Sequence, residues 1–188
     1  MSVEEPVLDR VNEIITTSSV VGTRLIAIDG PAGSGKTTLA KAVASRFDAP
    51  VVEIDDFFCG NSLHSWWPRF ETQVVAPLLR GEDALYQVRD WRGDEFGDGL
   101  RGEKRTRWAP VIVIEGVTSS HRALAASLAC RIWVEAPPAQ RLARGIARDG
   151  ESHRELWRRY MAEEAVFFAE DRTRERADLI LDTSDRRL

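Results

Sequence analysis

An α/β domain built on a parallel sheet is what this 188-residue chain predicts. Two observations carry that prediction. Compact apolar runs of strand length alternate with segments of helical period, and such alternation implies a parallel central sheet with helices on both faces, a three-layer sandwich. The second is the glycine-rich segment 30–37, GPAGSGKT, which matches G-x-x-x-x-G-K-[ST] between an apolar run and a helical pattern, the arrangement of a P-loop NTPase. The length suits one α/β core and is short for two, so 1–188 reads as a single domain.

Taken in order, Val7, Leu8, Val11, Ile14 and Ile15 recur at helical spacing and predict an amphipathic helix over 5–15, within an N-terminal extension of about 1–20. The run 24–29 predicts a buried first strand, and a helix is expected over 36–47 after the glycine-rich turn. Compact apolar runs predict further strands at 50–55, 111–115, 131–135 and 179–182. Helices are expected at 69–79, 121–129, 138–148 and 152–170, the last with Leu156, Tyr160 and Phe167 on one face. The segment 89–107 mixes glycines, acids and arginines without a sustained period and reads as a long surface loop, a kind of segment more often functional than inert.

A formal charge of -4 argues against broad nucleic-acid binding, while leaving room for a local cationic pocket that holds phosphates. Cys59 and Cys130 stand far apart outside any Cys-x-x-Cys, which points to reduced apolar residues and not to a disulfide framework or zinc site. The N-terminus lacks the basic start and apolar run of a signal peptide, and no segment is long and apolar enough to span a bilayer. A soluble cytoplasmic protein is therefore expected, with homo-oligomerisation left open.

The chemistry starts at the phosphate loop. Glycines let the backbone wrap an anion, and successive N–H groups and a helix N-terminus point at it. Gly30, Ala32, Gly33, Ser34, Gly35, Lys36, Thr37 and Thr38 are the expected ATP contacts, with Lys36 reaching the β- and γ-phosphates and the Thr37 hydroxyl ligating Mg²⁺. Guanine and transporter signatures are absent from the sequence, which turns the reading away from GTPases and transporters. The second strand ends in Asp55-Asp56-Phe57-Phe58, placing carboxylates at the sheet edge where open α/β folds bind ligands. A carboxylate there can accept a proton from a substrate hydroxyl or support Mg²⁺ through water.

The phosphate loop, Asp55-Asp56-Phe57-Phe58, Arg89-Asp90-Trp91 and the arginine-rich helix that follows resemble the uridine kinase and nicotinamide riboside kinase group of the phosphoribulokinase/uridine kinase superfamily. The resemblance runs over nearly all of 24–182. It implies that Asp55 is the catalytic base with Asp56 in support, and that Glu115, ending the strand 111–115, lies near the metal, so that Thr37 and Glu115 would hold Mg²⁺ directly or through water. Arg141, Arg144 and Arg148 recur at helical offsets and resemble the family's mobile lid, here about 138–150, from which Arg144 and Arg148 would neutralise charge on the transferring phosphoryl. Arg89-Asp90-Trp91 aligns with the family's Tyr-Asp-Phe stretch that contacts the nucleoside, on a substrate-side loop of about 89–107, with Arg89 in place of the tyrosine. The family's ribose-binding aspartate is missing. Cys59-Gly60-Asn61-Ser62-Leu63-His64 stands there instead, offering Asn61 or His64 as hydrogen-bonding substitutes.

The activity implied is transfer of the γ-phosphoryl of Mg·ATP to a hydroxyl of a small molecule, first of all a nucleoside. A non-nucleoside alcohol such as a sugar or a pantothenate-like compound is the alternative acceptor, and an inactive nucleotide-binding regulatory module the alternative of another class. Trp66 and Trp67 read as core, and Arg172, Arg174 and Arg176 as a solvated charge run.

Overall fold

The computed structural model describes residues 4–20, 22–58, 63, 65–93 and 99–184. Among them the chain runs α1 (Glu4–Thr17), β1 (Arg24–Asp29), α2 (Lys36–Phe47), β2 (Val51–Glu53), α3 (Trp67–Phe70), α4 (Ala76–Leu79), β3 (Ala84–Arg89), β4 (Leu100–Thr106), β5 (Val111–Glu115), β6 (Leu128–Glu135), α5 (Pro138–Asp149), α6 (Arg154–Asp171) and β7 (Leu179–Asp182). A π-helical turn, Glu71–Val75, joins α3 to α4.

Five strands form a fully parallel sheet in the order β2-β5-β1-β6-β7. Strand β1 lies at its centre because both its faces are apolar: Leu25 and Ala27 point to one core, Ile26 and Ile28 to the other. On the second face α1 and α2 cover the sheet with Leu8, Val11, Ile15, Leu39 and Val43. On the first, Phe57, Trp66, Phe70, Val74, Leu78, Tyr86 and Phe167 pack against the strands. Each such side chain, fully buried, contributes roughly 1.5–3 kcal/mol. Trp66 is fully buried and donates its indole N–H to the Leu63 carbonyl at 3.0 Å, as expected of a core residue. The carboxyl ends of β1, β2 and β5 share one edge of the sheet, where the chain order reverses across β1, the place at which open α/β sheets form their ligand crevice.

Several expected elements have different limits. The segment 89–107 is not one long loop, because Leu100–Thr106 is strand β4, paired antiparallel with β3 from Ala84↔Thr106 to Arg89↔Leu100. Every residue of β4 before Thr106 is exposed or half-buried, so no apolar alternation marks it. Backbone pairing alone makes it a strand. The helix expected over 121–129 shrinks to a 3-10 turn, Arg122–Leu124, because Leu128, Ala129 and Cys130 are drawn into β6 beside β1. On α6 the buried face is Trp157, Glu164, Phe167 and Asp171, with Tyr160 half-buried beside it, while Leu156 is 43% exposed. Cys59, Gly60, Asn61, Ser62 and His64 lie outside the described residues, as do 94–98 of the expected substrate-side loop.

Cys130 is buried, and burial pushes its thiol up to about 12, so it stays a protonated apolar residue. No described helix is long and apolar enough to cross a membrane. Because Val11 is fully buried under the sheet, Val11→Ala is expected to lower the unfolding free energy by about 1–3 kcal/mol in urea titrations. A change below ~0.5 kcal/mol would mean that α1 is not part of the folded unit.

Candidate active site

At the C-terminal end of β1 the chain must turn sharply under β6, and only glycine fits. Gly30 has φ 139°, and a Cβ there would come within 2.0 Å of the Val134 carbonyl oxygen. Three residues on, Gly33 has φ 76°, and a Cβ would meet the backbone of Arg141 at 2.7 Å. The loop is thus pressed between β6 and α5, and the first turn of α2 opens at Lys36. Lys36 is buried, and its Nζ donates to the Pro31 carbonyl at 3.1 Å; the Ser34 N–H donates to the same oxygen at 3.2 Å. Two donors therefore converge inside the loop, and the buried Ser34 hydroxyl has no protein partner. A concave set of inward-facing donors of this kind takes phosphate oxygens.

Asp29, immediately before the loop, escaped the sequence reading. It is fully buried, and its Oδ1 accepts from the N–H groups of Gly30 (2.7 Å) and Thr118 (2.8 Å), its Oδ2 from the N–H and hydroxyl of Ser120 (both 2.8 Å). Burial pushes its carboxyl up, against the pull of these donors and of Lys36. The segment after β5 is tied down by the same bonds, although Thr118 adopts φ 71°, a left-handed conformation costly for a β-branched residue.

That tie places Glu115 beside the loop. Its Oε2 accepts from the Thr37 hydroxyl at 3.3 Å, the pairing expected of two ligands to one ion. Burial pushes its carboxyl up to about 7, with Asp55 and Glu53 adding to the rise and Lys36 opposing it. A carboxylate held at such cost next to a hydroxyl and a lysine suits a hard divalent cation. Among the described residues no cluster of three or more acidic, His or Cys side chains forms a full cage. The Thr37 hydroxyl beside the single Glu115 carboxylate fits Mg²⁺, which binds through one or two protein oxygens and the phosphates of its substrate.

The two acids at the end of β2 face different partners. Asp56 pairs with Lys104 of β4 at 2.9 Å, while its carbonyl accepts from Arg69. Asp55 stands in the crevice, reachable by solvent yet crowded enough that burial pushes its carboxyl up; Lys36 and Arg148 pull it down, Glu53 and Asp56 push it further up. Asp55 and Lys36, separate in sequence, thus share one electrostatic neighbourhood. Tyr160 of α6 borders it too, its hydroxyl held neutral by burial first and by Asp55 next.

The hairpin β3–β4 supplies the crevice wall. Arg69 lies 4.6 Å over the Phe57 ring and donates to the Gln87 carbonyl, and Tyr86 packs on Phe57 with ring centroids 4.9 Å apart. Trp91 is 47% exposed, and its indole N–H donates to the Asp55 carbonyl at 3.0 Å. An open aromatic surface is thereby tethered to the residue expected to act as base. Arg89 is buried, lies 5.0 Å from the Trp91 ring and donates to the carbonyls of Gly99 and Asp90. Asp90 closes its own turn, accepting from the Gly93 N–H at 3.1 Å, with Arg101 at 3.9 Å.

The arginines of α5 separate by depth. Arg141 is buried, paired with Glu164 at 2.6 Å, and donates to the Ala32 carbonyl at 3.2 Å. Arg144 donates to the Gly33 carbonyl (3.2 Å) and to Thr183. Arg148 is exposed, bonded to Asp149 and 5.5 Å over Trp157, and close enough to Asp55 to act on it. Helix α5 lies hard against α6, since a Cβ on Gly145 would meet the Trp157 ring at 2.3 Å. The later run is structural: Arg174 grips Glu135, and Arg176 bonds Asp171 and the Ser120 carbonyl. Neither Glu164 nor Thr183 carries a motif that would have revealed it in the sequence.

A family profile described as AAA domain matches residues 26–175. The cytidylate kinase of Fervidobacterium nodosum is 34% identical over 80 residues, 40% of this chain and 36% of that protein, so the chain spans only about a third of this curated relative. A possible uridine kinase from Bacillus stearothermophilus superposes with TM-score 0.65 at 18% identity, over 94% of this chain and all of the other. A candidate fructose transport system kinase from Silicibacter sp. TM1040 reaches TM-score 0.66 at 24% identity, over 96% and 98% of the two chains. The D-glycerate 3-kinase of Cryptococcus neoformans reaches 0.51 at 11% identity, over 97% and 73%. The fold is that of P-loop kinases.

The displaced carboxyl of Glu115 has a measurable consequence. With a folded-state value of about 7 against 4.5, the folded protein pays no penalty below pH 4.5, an increasing one as pH rises toward 7, and the full one above. In metal-free buffer, Glu115→Gln should therefore raise the unfolding midpoint at pH 8 and leave it unchanged near pH 4.5. A difference that stays flat across this range would remove burial of Glu115 as its cause.

Proposed function

The chain belongs to the AAA domain family of P-loop proteins, and on that premise we propose that it is an ATP-dependent kinase that phosphorylates a hydroxyl of a small molecule, a nucleoside first of all. The observation that carries the proposal is that Asp55 follows β2 at the sheet edge that also bears the phosphate loop, where the Lys36 charge acts on it and the exposed Trp91 ring is bonded to its carbonyl. ATP lies along 30–37, with its phosphates on the N–H groups of Gly33, Ser34, Gly35, Lys36, Thr37 and Thr38 and on Lys36. Thr37 and Glu115 would hold Mg²⁺, which when bound neutralises charge on the phosphate oxygens.

Asp55 accepts a hydrogen bond from the acceptor hydroxyl, orients its oxygen in line with the γ-phosphorus, and takes the proton as the new P–O bond forms and the bond to ADP breaks. Its raised proton affinity, a product of burial, suits that task. Asp56 is less suited, being held by Lys104. Lys36 spreads over the leaving phosphate, while Arg144 and Arg148 add positive charge from α5. Trp91 offers a stacking surface for a planar base, with Asp90 and Arg89 shaping the hairpin end on which it sits.

A non-nucleoside alcohol is the second reading of the acceptor, favoured by the engagement of Asp90 with its own turn and of Arg89 with hairpin carbonyls. The names of the relatives span a cytidine nucleotide, uridine and fructose, and so define a panel. ADP release with Mg·ATP should be measured against uridine, cytidine, CMP, nicotinamide riboside, pantothenate and common sugars. One nucleoside should stand far above the rest, and Asp55→Asn should cut its turnover by about 10²–10⁴ while ATP affinity stays within a few-fold. Bound ATP with no product from any acceptor would instead favour a nucleotide-binding regulatory module.

A further inference from the structure

The phosphate loop is gripped from outside at consecutive peptide groups, by residues of α5, of α6 and of the segment that follows β7. The Ala32 N–H donates to Glu164 Oε2 at 2.8 Å, and the Ala32 carbonyl accepts from Arg141 at 3.2 Å. The Gly33 carbonyl accepts from Arg144 at 3.2 Å, and the Ser34 carbonyl from the Thr183 hydroxyl at 2.7 Å. Glu164 is 1% exposed and Thr183 2%, and Arg141 joins Glu164 in a buried pair, so the Thr183–Ser34 bond is shut off from solvent and the others are partly shielded from it. Thr183 is itself held: its N–H donates to the Glu135 carbonyl at 2.9 Å, and its carbonyl accepts from Arg144 at 3.0 Å.

In a planar trans peptide the carbonyl of one residue and the N–H of the next point in opposite directions. Drawing the carbonyls of Ala32, Gly33 and Ser34 outward therefore aims the N–H groups of Gly33, Ser34 and Gly35 inward. The preceding peptide is turned the other way: the Pro31 carbonyl faces Lys36 inside the loop while the Ala32 N–H faces Glu164 outside. The switch from one orientation to the other falls at Ala32, where Arg141 and Glu164 hold both of its polar groups.

We infer that Arg141, Glu164, Arg144 and Thr183 form an outer clamp that pre-orients the phosphate loop, and that Thr183, which follows β7, is a positioning residue for the phosphates of the nucleotide. The inference rests on reading 30–37 as a nucleotide site and is independent of the acceptor. Pre-orientation matters because an N–H that must first rotate toward its anion spends part of its binding energy on that rearrangement. One lost backbone anchor, in a buried setting, corresponds to about tenfold in affinity.

The experiment is calorimetric binding of Mg·ADP and of Mg·tripolyphosphate to the wild type, Thr183→Val and Thr183→Ser, well below their unfolding midpoints. Tripolyphosphate has no base or ribose, so it reports on the loop alone. Thr183→Val should weaken both ligands by about tenfold, and Thr183→Ser, which restores the hydroxyl, should recover both to within about twofold. Loss of ADP binding with tripolyphosphate unaffected would overturn the inference by moving Thr183 to the base side, as would unchanged binding of both or a failure of serine to rescue. Should the valine protein not fold, Glu164→Gln tests the clamp from α6 with the same expected loss and the same overturning results. If the wild type binds neither ligand, the nucleotide reading itself falls; if it binds both and the variants match it, only the clamp does.

Discussion

The carboxylate of Asp29 joins the two loops on which the crevice is built. Sitting fully buried at the end of the central strand, it accepts from the first amide of the phosphate loop and from the amides of Thr118 and Ser120 after β5. A buried charge left without these donors would be strongly unfavourable, so the loops cannot separate without exposing or protonating it. It also sustains the left-handed backbone of Thr118, a conformation worth about 1–3 kcal/mol of strain that only a surrounding over-determined by hydrogen bonds retains. Glu115, three residues before Thr118, is thereby kept against Thr37.

From this anchor the remaining groups fall into an order of depth. Asp29, Glu164 and Glu115 are buried, and each is offset by donors: amides and a hydroxyl, an arginine with an amide, and Thr37 with the nearby Lys36 charge. Asp55 alone among the acids around Lys36 is open to solvent from the crevice, and Asp56 beside it is neutralised by Lys104. Opposite charges are thus shared out so that, on the proposed function, one carboxylate remains available for an incoming hydroxyl. Packing enforces the arrangement, since the hairpin that carries Lys104 and Trp91 is seated by Phe57, Phe70 and Tyr86 in edge-on and tilted contact.

The phosphate loop was legible because its chemistry is local. Eight consecutive residues between a strand and a helix supply the turn, the donors and the charge, and nothing distant is needed to recognise them. Asp55 was legible for a related reason, closing an apolar run at the edge where parallel sheets bind ligands, whereas Glu115 came from the family resemblance. Strand β4 was not, because its side chains are mostly exposed and it is held by backbone bonds to β3. The face of α6 was misjudged by one residue, Leu156 for Trp157, because helical period leaves neighbouring apolar positions ambiguous until the partner surface, here Gly145, is known.

Contiguous residues and periodic side chains determined, without coordinates, the α/β class, the five strands of the parallel sheet, the phosphate loop and the acids that follow the second strand, but not the β3–β4 hairpin. Tertiary structure alone decided what those residues do to one another. Glu164 reaches Ala32 across 132 positions, Thr183 reaches Ser34 across 149, and Asp29 reaches Ser120 across 91. Such bonds join residue types that are common in any sequence, and their energy arises only when packing excludes water from both partners. The physical reason for the division is that a local motif is written in the covalent order of the chain, whereas a clamp is written in the fold.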